Sequence, residues 1–83
     1  LADAAVRWGM PRSQAYTYAA QTVYGSAGMV LENGQHPAVL KDMVCSPAGT
    51  TIEGVAALEK NNFRNAVIEA VTVACDRSIA LGK

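Results

Sequence analysis

The sequence predicts an all-α domain, and three observations carry that expectation. No stretch of its 83 residues alternates polar and apolar side chains long enough for a convincing strand. Apolar residues instead recur on a 3.6-residue period through two long stretches. Between the periodic stretches lie Gly, Pro and Asn, the residues that stop and start helices.

Taken in order, residues 1–10 read as the end of a helix, stopped at "GMPR" because Pro11 disfavours helical backbone at the residue before it. Pro11 itself suits the first turn of the next helix, where its missing N–H is not needed. That second helix is expected to run to about Glu32. Tyr16, Ala20, Val23, Ala27 and Val30 share one line along it, and Ala15, Tyr18, Gly25 and Met29 a neighbouring one. Gln14, Thr17 and Gln21 leave only a narrow polar strip. Gly25 and Gly28 each cost about 1 kcal/mol relative to Ala inside a helix, which small residues offset by letting another backbone approach. Tyr16, Tyr18 and Tyr24 read as packing residues.

"ENGQHP" is a turn, with Asn33-Gly34 as the break, His36 as a turn or capping residue and Pro37 opening a short helix, "PAVLKDMV". After the corner "SPAG", Thr50 to Lys60 restarts helical, with Ile52, Val55 and Ala56 on one face. Asn61-Asn62 supplies another start. The last helix, from about Asn62 to Leu81, carries Asn65, Glu69, Thr72 and Asp76 on its polar side. Phe63, Val67, Ala70, Val71, Ala74 and Leu81 lie opposite, and Gly82 suits the position after the helix end. The result is a bundle of about five helices, two of them long and too apolar for a monomer.

Composition supports a partner surface. Apolar residues make up 51% of the chain and charged ones 17%, more hydrophobic material than so small a core hides. Seven basic residues balance seven acidic ones, so no basic patch is available for a nucleic-acid backbone. Cys45 and Cys75, with a single histidine, are too few ligands for zinc and are expected to be buried thiols of a reducing, cytoplasmic compartment. Ser13 to Leu31 carries no charge, but Ser13, Gln14, Thr17, Gln21, Thr22 and Ser26 make it too polar to face lipid. No signal-peptide pattern is present. A start at Leu1, in what reads as mid-helix, is expected of a piece of a longer chain.

The chemistry concentrates at "SPAGTT", Ser46 to Thr51. Thr50-Thr51-Ile52-Glu53 fits a capping box, with Thr50 as N-cap and Glu53 reaching back. A helix N-terminus also presents N–H groups and partial positive charge suited to a carboxylate or phosphate. If Thr50 caps, the Thr51 hydroxyl is left for a ligand, and Ser46 adds a further donor. Each charge-assisted hydrogen bond is worth roughly 1.5–3 kcal/mol, so two or three hold a small acid usefully.

These residues resemble a known family. His36-Pro37, Leu40-Lys41-Asp42, Val44, Ser46-Pro47, Gly49-Thr50-Thr51, Gly54, Leu58-Glu59 and Phe63-Arg64 stand at the spacing of the C-terminal domain of pyrroline-5-carboxylate reductases. "LADAAVRWGMPR" and "AAQTVYGSAGMV" are similar to the family as well, so the resemblance spans essentially residues 1–83. It implies a helical dimerisation and substrate-binding domain whose long helices interleave with those of a second copy, as a homodimer or a larger assembly of dimers. It also implies an upstream Rossmann-type domain that binds NADP or NAD, absent from these residues, which contain no G-x-G-x-x-G and so no cofactor-binding residues of that kind. No metal is implied.

By the same resemblance Thr51 is the catalytic residue, its hydroxyl at the ring nitrogen of 1-pyrroline-5-carboxylate while hydride passes to C5. Ser46 and the Gly49-Thr50-Thr51 backbone are expected to receive the substrate carboxylate, and Val44 to pack beside the ring. The family commonly has Gly where this chain has Ala48; a positive φ there costs Ala on the order of 1 kcal/mol. The whole protein is then an NAD(P)H-dependent oxidoreductase yielding L-proline, these residues alone being dimeric but inactive. The alternative is a helical homodimerisation module without catalysis, which needs Thr50 only as a cap.

Overall fold

A computed structural model describes residues 1–82. They form five helices: α1 (Ala2–Arg7), α2 (Arg12–Asn33), α3 (Pro37–Val44), α4 (Thr50–Lys60) and α5 (Phe63–Ala80), with no strand among them. The expected class and element order are met, and the bounds of α3 and α4 are those expected. The chain divides into two compact units, one of residues 1–41 and one from Asp42 onward.

In the first unit α1 packs on α2. Helix α1 stops by a Schellman motif: Gly9 at φ 104 lets its own N–H reach the Val6 carbonyl at 2.9 Å and the Met10 N–H reach Ala5 at 3.0 Å. The stop therefore lies with Gly9, two residues ahead of the proline. Pro11 is the N-cap of α2 and not its first helical residue, because its ψ of 142° is still extended. Asp3 and Arg12 pair across the corner, and the Arg12 guanidinium lies 5.7 Å from the Tyr16 ring centre.

Both threonine hydroxyls of α2 are paired within the helix. Thr17 Oγ1 donates to the Ser13 carbonyl at 3.3 Å and Thr22 Oγ1 to Tyr18 at 2.8 Å, so they ask nothing of a neighbour. Ala15 is fully buried, and Leu40 of α3 is the other buried apolar residue described. The tyrosines read as packing residues are not packed within the chain: Tyr16, Tyr18 and Tyr24 are all exposed, Tyr24 by 78%. A Cβ added at Gly25 or Gly28 meets nothing within 4 Å, so no backbone of this chain uses the approach these glycines allow.

The second unit pairs α4 with α5, and neither helix has a buried residue. Val67, Ile68, Val71, Val73 and Ile79 all stand at least half exposed along α5. Each is worth about 1.5–3 kcal/mol when fully buried, and helices in proteins draw most of their stability from such burial. The chain by itself does not supply it. Cys75, expected to be buried, is exposed for the same reason, and Cys45 is half-buried; both are unpaired thiols.

Between α4 and α5, Asn61 Nδ2 donates to the Ala57 carbonyl at 2.8 Å, filling a last-turn acceptor. Asn62 turns the chain at φ 58 and is the N-cap of α5 by backbone alone. Gly82, at φ 76, follows the end of α5 as expected, its N–H on Ile79 at 2.9 Å. Among the described residues no helix is long and apolar enough to cross a membrane, and no three His, Cys, Asp or Glu side chains gather as a metal site.

Candidate functional site

The second unit carries every residue singled out for substrate. Val44 ends α3, Ser46 to Gly49 form the corner, and Thr50 and Thr51 are the first two residues of α4. The Cys45 N–H bonds the Asp42 carbonyl at 3.2 Å and closes α3. One residue later the chain turns: the Gly49 N–H donates to the Ser46 carbonyl at 3.0 Å across Pro47 and Ala48. Proline at the second position and a positive φ, 58°, at the third define a type II turn.

Two side chains in this turn are constrained by different physics. Space is tight at Gly49, since an added Cβ would stand 3.2 Å from the Ser46 carbonyl oxygen and 3.3 Å from Ser46 Cβ and Ser46 would have to give by a few tenths of an ångström. Ala48 lies in the left-handed region that glycine occupies without cost. The sequence raised that cost conditionally; the backbone meets the condition.

The expected capping box is not formed. Gly49, at φ −82° and ψ 175°, is the N-cap of α4, and no side chain caps the helix. Thr50 is therefore already helical, and Glu53 falls one position too late to reach back. The register differs by one residue because the extended backbone that a cap requires is taken up by Gly49 and not by Thr50. The consequence is chemical: the first-turn N–H groups, among them those of Thr50 and Thr51, have no intrahelical acceptor and receive none from a cap. Ser46, Thr50 and Thr51, the hydroxyl-bearing residues of the same corner, are exposed. This corner can receive a small anion through backbone donors and offer it a neutral hydroxyl. It contains no titratable group, so it supplies neither a strong acid nor a strong base.

His36 plays the part expected of it. Its Nδ1 accepts from the Ala38 N–H at 3.0 Å, and its carbonyl accepts from Val39 and Leu40 at 2.9 and 3.3 Å. It caps α3. A second polar feature drew no role from the sequence. Arg64 forks onto Glu59, Nε to Oε1 at 2.9 Å and Nη2 to Oε2 at 2.5 Å, tying the end of α4 to the start of α5. The Glu59 hydrogen bond, then its charge, raises the guanidinium further above its ordinary value. An acid and a base flanking an Asn-Asn break were the available signal. The Glu59, Asn62, Phe63, Arg64, Asn65 and Ile68 side chains border an open hollow there.

Comparison with known proteins bears on what this corner serves. The family model described as pyrroline-5-carboxylate reductase dimerisation matches residues 1–81. The chain is 64% identical over 83 residues to the pyrroline-5-carboxylate reductase of Escherichia coli (strain K12), covering all of this chain and 31% of that protein. It is 57% identical to the reductase of the same name from Methanosarcina acetivorans, again over all of this chain and 31% of the relative. Among solved structures, the Plasmodium falciparum pyrroline carboxylate reductase with NADP bound superposes with a TM-score of 0.94 at 41% identity, over 100% of this chain and 34% of that one. The chain thus spans about a third of the length of the relatives it matches. It belongs to the pyrroline-5-carboxylate reductase dimerisation family.

Proposed function

We propose that the protein carrying this chain is a pyrroline-5-carboxylate reductase, reducing 1-pyrroline-5-carboxylate to L-proline with NAD(P)H. In this proposal the chain is its C-terminal dimerisation and substrate-binding domain, in a cytoplasmic homodimer or an assembly of such dimers. The observation that carries the proposal is the family match over residues 1–81, with the unsealed start of α4 inside it. The alternative, a dimerisation module without catalysis, gave Thr50 a capping duty that α4 does not use.

In this proposal the substrate carboxylate sits on the Thr50 and Thr51 N–H groups and the Ser46 hydroxyl, with Gly49 keeping the turn tight enough to present them. The Thr51 hydroxyl hydrogen-bonds the imine nitrogen, holding C5 in position and easing protonation of the nitrogen. Val44 packs beside the ring. The described residues hold no strand and the sequence no G-x-G-x-x-G, so a dinucleotide cradle of that kind does not come from these residues. A nicotinamide bound elsewhere in the protein supplies the hydride. The corner then needs only to bind and orient, which agrees with its lack of titratable groups.

The exposed faces of α2 and α5 are covered by a second copy, their long helices interleaving. Gly25 and Gly28 have open space around them for a backbone of the partner. The test is direct: the full-length protein, purified, is given pyrroline-5-carboxylate with NADPH or NADH, and absorbance of the reduced nicotinamide is followed. Steady oxidation by a dimer is expected. A folded dimer that oxidises neither cofactor contradicts the proposal.

A further inference from the structure

Helix α2 ends on Asn33, and its end is built unlike those of the other helices. We propose that Asn33 is a site of spontaneous covalent modification, at which the Gly34 backbone nitrogen displaces the Asn33 side-chain amide as ammonia. Nothing in this requires the reductase reading.

The helix ends differ in what they do with the next N–H. After α1, α3, α4 and α5 it returns to a carbonyl of the helix just left: Trp8 to Ala4 at 3.3 Å, Cys45 to Asp42 and Asn61 to Ala57 at 3.2 Å, and Leu81 to Arg77 at 3.0 Å. Among the described residues the Gly34 N–H has no such acceptor. Asn33 and Gly34 are both exposed, and a Cβ placed on Gly34 meets nothing within 4 Å. The Gly34 nitrogen is thus neither tied by a hydrogen bond nor screened by neighbours, and glycine sets no side chain of its own beside it. The helical backbone at Asn33 must loosen before the two groups meet, which the last residue of a helix does most readily.

No reagent but water is needed. The Gly34 nitrogen bonds to Asn33 Cγ, the Cγ–Nδ2 bond breaks, and the proton from Gly34 leaves with Nδ2 as ammonia. Water then opens the cyclic imide at either carbonyl. Breaking the new bond leaves aspartate at position 33; breaking the original peptide bond leaves isoaspartate, with the main chain running through Cβ and Cγ. Nothing is oxidised or reduced. Either product adds a carboxylate beside Glu32 at a helix end whose last turn has no basic residue to offset it.

The other asparagines of the chain are placed differently. Asn61 Nδ2 is held on the Ala57 carbonyl at 2.8 Å. Asn62 is followed by the bulky Phe63, and Asn65 lies inside α5, where the next N–H, that of Ala66, is bonded to the Asn62 carbonyl at 2.9 Å.

The experiment holds the full-length protein folded in neutral buffer at physiological temperature, beside a sample unfolded in urea, and follows both by peptide mass spectrometry. Aspartate and isoaspartate are expected to accumulate at position 33 faster than at 61, 62 or 65, at a rate within about tenfold of the unfolded chain. Gly34→Ala, which sets a methyl beside the attacking nitrogen, is expected to slow the conversion several-fold. Asn33→Gln, which would have to close a larger ring, is expected to leave the peptide unconverted. Conversion at Asn33 no faster than at the other three, or more than about tenfold slower than in the unfolded chain, overturns the inference. So does a Gly34→Ala variant that converts as fast as wild type.

Discussion

Two short helices in this chain begin after a tight corner, and they begin differently. Before α3 the corner uses Gly34 at φ 69, and the His36 ring seals the helix by accepting the Ala38 N–H. Before α4 the corner uses Ala48 at φ 58, and nothing seals the helix, although two threonines and a serine stand within reach in sequence. The first pattern is what stability alone selects: glycine where φ is positive, and an acceptor over the orphan donors. The second keeps its donors exposed and accepts a disfavoured backbone. A disfavoured backbone and an unsealed helix start at one of two similar corners are what the proposed function expects of a corner that receives the substrate carboxylate.

Substitutions at the two corners are expected to act differently. The largest effect is expected from Thr51→Val, which removes the hydroxyl and keeps the shape. Loss of one hydrogen bond to a charged partner in the transition state, about 1.5–3 kcal/mol, lowers kcat/KM roughly 10–150-fold, read by steady-state kinetics on the full-length protein. At the other corner, His36→Ala removes a working cap, and a loss of about 0.5–2 kcal/mol is expected in denaturant unfolding, with kcat/KM retained.

Smaller effects follow. Ala48→Gly relieves about 1–2 kcal/mol of left-handed strain but adds about 0.5–1 kcal/mol of backbone freedom to the unfolded chain. A net stabilisation of about 0.5–1 kcal/mol is expected from the same unfolding measurement. The smallest effect belongs to Thr50→Ala. A capping threonine would cost about 1 kcal/mol; as the first helical residue of an uncapped helix, Thr50 should cost less than about 0.5 kcal/mol, because Ala is itself the better helix former.

Much of this was legible in the sequence, for physical reasons that differ by position. The five helices were, because Pro11, Asn33-Gly34, the SPAG corner and Asn61-Asn62 are strong punctuation and the stretches between them keep a helical period, although the first stop lies at Gly9 and not at the proline. The corner and the helix start that follows it were legible from the Ser46–Thr51 series. The register of α4 was not: the capping box at Thr50 matched in letters, but the residue that takes the extended cap backbone is Gly49, which the Thr-Thr-Ile-Glu spacing does not encode. Ala48 was readable only as a condition, since Pro47 permits either turn.

Burial was the least legible feature. The thiol of Cys75 and the rings of Tyr16, Tyr18 and Tyr24 have the composition of a core, and within this chain they are exposed. The sequence reports that such residues are to be covered, not by which chain.

The most direct test sets the two corners against each other in the full-length protein, measuring kcat/KM and melting temperature for Thr51→Val and His36→Ala side by side. The account predicts a crossing: Thr51→Val loses activity at least tenfold and keeps its melting temperature, while His36→Ala loses several degrees and keeps its activity. If Thr51→Val instead melts several degrees lower with kcat/KM intact, the threonines are structural and the α4 corner is not the substrate site.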